Sequence, residues 1–389
     1  MEPWPLSTSA SSRLLCWPDY ASACDFAVLA ERLGGELARA KGVCLCLRFD
    51  PRADGSPESA IRAIEEFARG LGPEAQFEVL LVDDEMDAKD WPRLGAAVDA
   101  LLALPSADAP GERRRFAQES ACPLAASAQE AQRLLRAGPA LRRFRRWREL
   151  TAATEGWFSP EAAATWDALL CFQERRRQSG WLGEIGVYMG KSASLLALHR
   201  DREQLLGLID IDFPRDARAL LHPLAPAERV SYLEERSSRL DGDPRVAGWM
   251  HRFRWFHIDG EHTGQALTND LRLALRWLDD HGIACIDDFF SPMYPQLTQA
   301  VFRFVDAHPH ELTPFLVGYN KCYLCRPLAA REYMEMIRTE LVPALADRGH
   351  REITVFKTTE ASDMNCFGMG ARFQGFACRG PDWDPTRVP

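Results

Sequence analysis

The chain has no long apolar run. Stretches such as Val79–Val82 end after a few residues, far short of the roughly 20 that a membrane-spanning helix needs. It also lacks positive charge: the formal net charge is −9, the wrong sign for a general nucleic-acid binder. The opening segment, MEPWPLSTSASSRLLCW, has no basic start followed by an extended apolar stretch, so no secretory signal is read there and the expected compartment is the cytoplasm. Paired metal-binding cysteines are missing too. Of eleven cysteines only Cys322 and Cys325 form a C-x-x-C. They lie in a strand-like run, where positions three apart face opposite ways, and no second ligand pair follows. Cys44, Cys46, Cys171 and Cys285 sit in apolar runs and read as buried free thiols.

What remains is the composition of a globular protein, 46% hydrophobic and 26% charged over 389 residues, a length that suggests two domains. The expected division is a small α/β domain over 1–115, a helical linker over 116–150 and a second α/β domain over 151–389. In the first part SSRLLCWPDY, VCLCLRFD and FEVLLVDD read as strands. They alternate with the helical segments CDFAVLAERLGGELARA, AIRAIEEFARGLG and DWPRLGAAVDALLALP. That alternation implies a parallel sheet of three or more strands covered by helices. No glycine-rich phosphate loop follows these strands, and Asp83, Asp84 and Glu85 read as a solvated turn.

The segment resembles the nucleotide-binding half of bacterial glycosyltransferases in LLCWPDY, LCLRFDPRADG and VLLVDDEMDAKDWPRL. No catalytic base or sugar-nucleotide motif carries over, so it is read as an accessory module. In the linker, Arg142, Arg143, Arg145, Arg146 and Arg148 surround an apolar stripe of Leu134, Leu135, Leu141, Phe144 and Trp147. The helical spacing of that stripe makes this an amphipathic helix with arginines on its outer face, rather than a nucleic-acid site.

The character changes after Gly156. WLGEIGV reads as a strand, YMGKS as a tight turn and ASLLALHR as a helix. Gly186 and Gly190 allow the backbone to pass close to a ligand, and the helix start offers unpaired N–H groups. The next strand, QLLGLID, ends at Asp210, with Asp212 close behind. An acid at that distance from a glycine turn can hold ribose hydroxyls, and strand register alone does not choose between the two. RVSYLEE leads to Ser237 and Ser238, RWFHID ends in Asp259-Gly260-Glu261-His262, and GIACID ends in Asp287-Asp288.

EIGVYMGKSA, FHIDGEHTGQALTNDL and HGIACIDDFF together resemble class I S-adenosylmethionine-dependent methyltransferases. The closer likeness is to the metal-dependent macrolide-sugar and catechol-type O-methyltransferases, over most of 151–389. The resemblance implies a Rossmann-like sheet with helices on both faces. It implies S-adenosyl-L-methionine binding by Glu184, Gly186, Gly190, Ser192, Asp210 and Ser238. It further implies Mg²⁺ held by Asp259, Asp287 and Asp288, with His262 as general base, and a small-molecule or glycan hydroxyl as acceptor, a sugar or polyol above all. The alternatives are a metal-independent methyltransferase and a noncatalytic cofactor-binding scaffold.

The chemistry of the residues agrees. Parallel strand ends meet at one sheet edge, so Asp259, Asp287 and Asp288 can converge. Carboxylates gathered without a cation repel, whereas Mg²⁺ prefers hard oxygen ligands. Asp270 is expected to face Arg272 or Arg276 outside the site, and His257 to be a packed, satisfied histidine. Tyr319, Asn320 and Met364 are expected in the acceptor pocket. Self-association is left open; a nucleic-acid or membrane partner is not expected.

Overall fold

The structure is a computed structural model. It describes residues 4–371 apart from 11, 35–38, 40, 72, 74, 108–110, 121, 202 and 359–364. Met364 therefore lies outside the described residues. The chain divides into two compact units, Met1–Glu149 and Leu150–Pro389. No helix among the described residues is long and apolar enough to cross a membrane.

Among the described residues the first unit is built on five parallel strands: β1 (Ser12–Cys16), β2 (Val43–Arg48), β3 (Glu78–Val82), β4 (Ala100–Leu102) and β5 (Leu124–Ala125). Their spatial order is β3-β2-β1-β4-β5. Alternate residues of the central strands bury into opposite layers. Leu14, Cys16, Leu45 and Leu47 pack with Leu29, Leu33, Phe67 and Leu134, while Leu15, Cys44 and Cys46 pack with Trp91, Leu94 and Phe116. Helices thus cover both faces, and the continuous apolar runs of β1 and β2 follow from that double burial.

Two readings of this unit change. DWPRLGAAVDALLALP is not one helix: a helix spans Trp91–Ala96 and the chain then enters β4, paired with β1. Periodicity does not separate a short buried helix from a buried strand, and the open edge of β1 decides the matter. The helix Ala128–Leu150, expected in a linker, packs on the first sheet. Leu134, Leu135 and Leu141 join its core. Arg145 donates to the carbonyls of Gly95 (3.0 Å) and Val98 (2.8 Å), and Arg142 pairs with buried Asp99. These two arginines therefore point into the unit and satisfy its polar groups, rather than lining an outer face.

Among the described residues the second unit holds nine strands: β6 (Trp181–Ile185), β7 (Leu206–Asp210), β8 (Val230–Glu234), β9 (Phe253–Ile258), β10 (Leu278–Ile286), β11 (Thr313–Gly318), β12 (Lys321–Cys325), β13 (Ile353–Phe356) and β14 (Phe367–Ala371). Their order is β13-β14-β11-β12-β10-β9-β6-β7-β8. From β10 to β8 all pairings are parallel, and β12 runs antiparallel to β10. Ile258 and Ile286 face a layer that includes Leu267, Leu271, Leu297 and Val301 of two helices. On the other face Trp166, from the helix Pro160–Arg175, meets Trp255 and His257 edge-on at 5.1 and 4.5 Å. The apolar run before Arg326 is a hairpin of β11 and β12. Its turn residues Tyr319 and Asn320 have φ of 50° and 65°, the left-handed geometry of two-residue hairpins.

Candidate active site

The chain reverses its direction of winding at β6, which lies between β7 and β9. In such sheets ligands bind beyond the carboxyl ends of the strands at that point. Backbone pairing carries the register past the strand ends: Gly186 donates to Ile209, Asp259 to Ile185, and Asp287 to Ile258, at 2.9, 2.8 and 3.0 Å. Gly186, Asp259 and Asp287 are thereby neighbours across three strands.

Gly186 has φ 84°, and a Cβ there would lie 1.7 Å from the Asp259 carbonyl oxygen. Only glycine permits that approach. Gly190 has φ 81° and precedes the helix Lys191–His199. The carboxylate of Asp210 holds the turn in place: Oδ2 accepts from the N–H of Val187 (2.6 Å) and Tyr188 (3.0 Å), and Oδ1 from that of Ile211 (2.7 Å). Asp212 stands exposed beside it, as does Ser238 beyond β8.

Glu184 is fully buried at the end of β6. Its Oε1 accepts from the Ser192 hydroxyl at 2.5 Å and meets His257 Nδ1 at 2.6 Å. Oε2 has no partner among the described residues. Burial holds this carboxyl well above its usual range, though the Ser192 bond opposes the shift. His257 is pushed down to about 3 by burial and by nearby Lys321, so its imidazole is neutral. Its Nε2 has no hydrogen-bond partner among the described residues and is 3.8 Å from Asp287 Oδ2. His257 is packed as expected, but only one of its ring nitrogens is satisfied.

His262 is partly exposed and sits over the acid group. Its Nε2 is 3.0 Å from Asp288 Oδ2 and 3.6 Å from Asp259 Oδ1. The ring stacks on Tyr294 at 4.3 Å, which fixes its plane. The nearby carboxylate of Asp259 raises its pKa, and Asp288 adds to the effect. The Asp259 carboxyl is pushed up to about 6, first by burial and further by the charge of Asp287. Asp287 goes the other way: burial alone would raise it, but the ammonium of Lys321 more than offsets this and holds it low. Lys321 is buried and ion-pairs directly with Asp287.

The ligand atoms of Asp259, His262 and Asp288 all lie within 4.8 Å of one another, as do those of His257, Asp259 and Asp287. Either spacing suits one cation. The mutual repulsion that raises Asp259 is also what a bound cation would relieve. The orphaned Glu184 Oε2 and the cradle at Gly186 likewise suit a ligand with an ammonium group and a close-lying backbone contact.

Three residues escaped the sequence reading in whole or part. Asp270 is buried, lines a cavity with Asp259, His262 and Asp287, and has no hydrogen-bond partner within normal distance on either oxygen among the described residues. Arg276 bonds Asp241 instead, and Arg272 bonds Asn269. The available signal was its place in the stripe Leu267, Asp270, Leu271, Ala274, where an apolar residue is expected. Lys321 could have been noticed as a lone charge opening KCYLC. Asn320, expected in the pocket, donates instead to Asp288 Oδ1 at 2.8 Å.

The winding reversal, the glycine turn and the acid-tipped strands define a Rossmann-like α/β unit built to bind a cofactor. Residues 184–289, within the second unit, match the family described as a methyltransferase domain. No curated protein matches the chain. Among solved structures it is similar to CalS11, a TDP-rhamnose 3'-O-methyltransferase of calicheamicin biosynthesis. The identity is 14%, over 47% of this chain and 92% of that one, with a TM-score of 0.34. TomG from Streptomyces achromogenes, an O-methyltransferase of tomaymycin synthesis, is 19% identical over 48% and 87%, with a TM-score of 0.34. MycE of the mycinamycin pathway, solved with Mg, SAH and mycinamycin VI, is 17% identical over 51% and 59%, with a TM-score of 0.35.

Proposed function

We propose that the second unit transfers a methyl group from S-adenosylmethionine to a hydroxyl of a small molecule or glycan, a sugar or polyol being the favoured acceptor. The observation that carries this reading is His262 Nε2 poised between Asp259 and Asp288, beside a glycine turn that admits a cofactor. The acceptor class rests on the likeness of the D-G-E-H and Asp-Asp motifs to macrolide-sugar O-methyltransferases. The first unit serves as an accessory module.

When bound, the sulfonium cofactor supplies an already activated methyl group, so the protein must chiefly align and deprotonate the acceptor. Glu184 Oε2 receives the cofactor's ammonium group, and Ser192 keeps Glu184 oriented. Gly186 and Gly190 give the cofactor backbone access. Asp210 is committed to the turn, so Asp212 takes the ribose hydroxyls, with Ser238 near the adenine edge. A divalent cation such as Mg²⁺ among Asp259, Asp287 and Asp288 would acidify the acceptor hydroxyl. His262 takes that proton at Nε2, and Tyr294 holds the ring in line.

Calorimetry with S-adenosylhomocysteine tests the cofactor site, and mass detection of methylated products from a panel of hydroxylated sugars tests the activity. His262→Ala should slow single-turnover transfer by about 10²–10⁴-fold, the usual worth of a general base, with cofactor affinity unchanged. A rate near that of wild type would reduce the imidazole to a structural role. Metal-independent transfer is the second reading, favoured by the ammonium of Lys321 beside Asp287. Full-rate transfer in excess EDTA would select it.

A further inference from the structure

Lys321 opens β12, and all five residues of that strand are buried. A buried ammonium is costly unless an anion meets it. Here the anion is Asp287, through Oδ2. The Phe158 ring, 5.7 Å from Nζ, suits a cation but carries no full charge. The other oxygen of Asp287 is also engaged. Oδ1 accepts from the Asp288 N–H at 2.7 Å and from Asn320 Nδ2 at 3.3 Å. Asn320 and Asp288 both hold left-handed backbone, φ 65° and 54°, a conformation that non-glycine residues keep only where their surroundings enforce it. The hairpin turn is thus clamped onto the acid pair. Asp288 differs from Asp287 in presenting Oδ2 to His262 at the partly exposed rim. Asp259 Oδ1 likewise lies toward His262, and the charge of Lys321 reaches it only from beyond ion-pair contact.

We propose that Lys321 is the permanent counter-ion of Asp287 and withholds it from a divalent cation, leaving Asp259 and Asp288 as the carboxylates that meet metal and acceptor. The inference rests on the metal-assisted reading above and revises its ligand set, from Asp259, Asp287 and Asp288 to Asp259 and Asp288. Three carboxylates and one ammonium leave two negative charges, which one divalent ion neutralises. Mg²⁺ commonly binds through one or two carboxylates and keeps its remaining positions for water and substrate oxygens. Asp287 then acts as a positioning residue, fixing Asp288 through its backbone N–H.

The test is Mn²⁺ binding to the full chain with S-adenosylhomocysteine present, followed by electron paramagnetic resonance and calorimetry. Because affinity follows the number of charged ligands, Asp288→Asn should weaken Mn²⁺ by about 30-fold or more and Asp287→Asn by no more than about threefold. Lys321→Met frees a third carboxylate and should tighten Mn²⁺ by about tenfold. Lys321→Arg should match wild type. Mn²⁺ should also raise the melting temperature of Lys321→Met more than that of wild type. If Lys321→Met does not fold, the two aspartate variants decide. Equal loss in Asp287→Asn and Asp288→Asn, or unchanged affinity in Lys321→Met, overturns the inference and leaves the metal reading intact. No Mn²⁺ binding by wild type or any variant overturns both.

Discussion

Gly186→Ala places one methyl group where the structure has no room. The new Cβ would lie 1.7 Å from the Asp259 carbonyl oxygen and 2.5 Å from its carbon. Both are backbone atoms of the strand end that carries the acid site, so no side chain can rotate away. The φ of 84° adds a left-handed penalty of about 1–2 kcal/mol for a residue with a Cβ. Overpacking adds about 1–3 kcal/mol, giving roughly 2–5 kcal/mol in all. For a unit of this size that corresponds to a loss of roughly 4–20 °C in melting temperature. The structure relaxes by parting β6 from β9, which moves Asp259 away from His262. Differential scanning calorimetry, with S-adenosylhomocysteine titrated in parallel, should therefore show a destabilised second unit that binds cofactor weakly. Wild-type melting and affinity in Gly186→Ala would refute the close approach and the site built on it.

Arg348→Met should cost about 3–5 kcal/mol, because it strips buried Asp167 of a charge partner. Arg348 Nε and Nη2 now donate to Asp167 Oδ2 at 2.7 and 2.5 Å. Denaturant melts should show the loss, and adding Asp167→Leu should recover part of it. Burial pushes Asp270 up to about 6, above the ordinary carboxylate value, so the folded state holds its proton more tightly than the unfolded chain. That contribution to stability is full below about pH 4 and is lost as pH rises through about 6. Asp270→Asn should flatten this slope and stabilise the protein at pH 7 by about 1–3 kcal/mol. A variant with the same pH slope as wild type would sink the assignment. A chain beginning at Leu150 should still bind S-adenosylhomocysteine, because every proposed cofactor contact lies in the second unit. Loss of binding would give the first unit a part in the pocket.

Local pattern carried much of this protein into view. Strands β1 to β3 and β6 to β10 announced themselves as short apolar runs between turn residues. Gly186, Asp210, Asp259 and Asp287 could be placed at strand ends because a parallel sheet brings such ends to one edge. The helix Ala128–Leu150 was legible from its stripe, but not the sheet it would cover. β4 was hidden because a short buried strand and a short buried helix share one composition, and only the vacancy beside β1 distinguishes them.

The commitments of individual side chains were settled by the tertiary structure alone. Asp210, read from the sequence as a ribose ligand, also braces the glycine turn, because its oxygens accept from backbone N–H groups. Asp287 and Asp288 were equivalent letters in the chain, yet one faces a buried lysine and the other an exposed histidine. The physical reason is that hydrogen-bond capacity is finite and is filled by whichever group the strand order brings near. For Asp287 that group arrives on β12, across a helix and a hairpin turn, beyond the reach of any local periodicity.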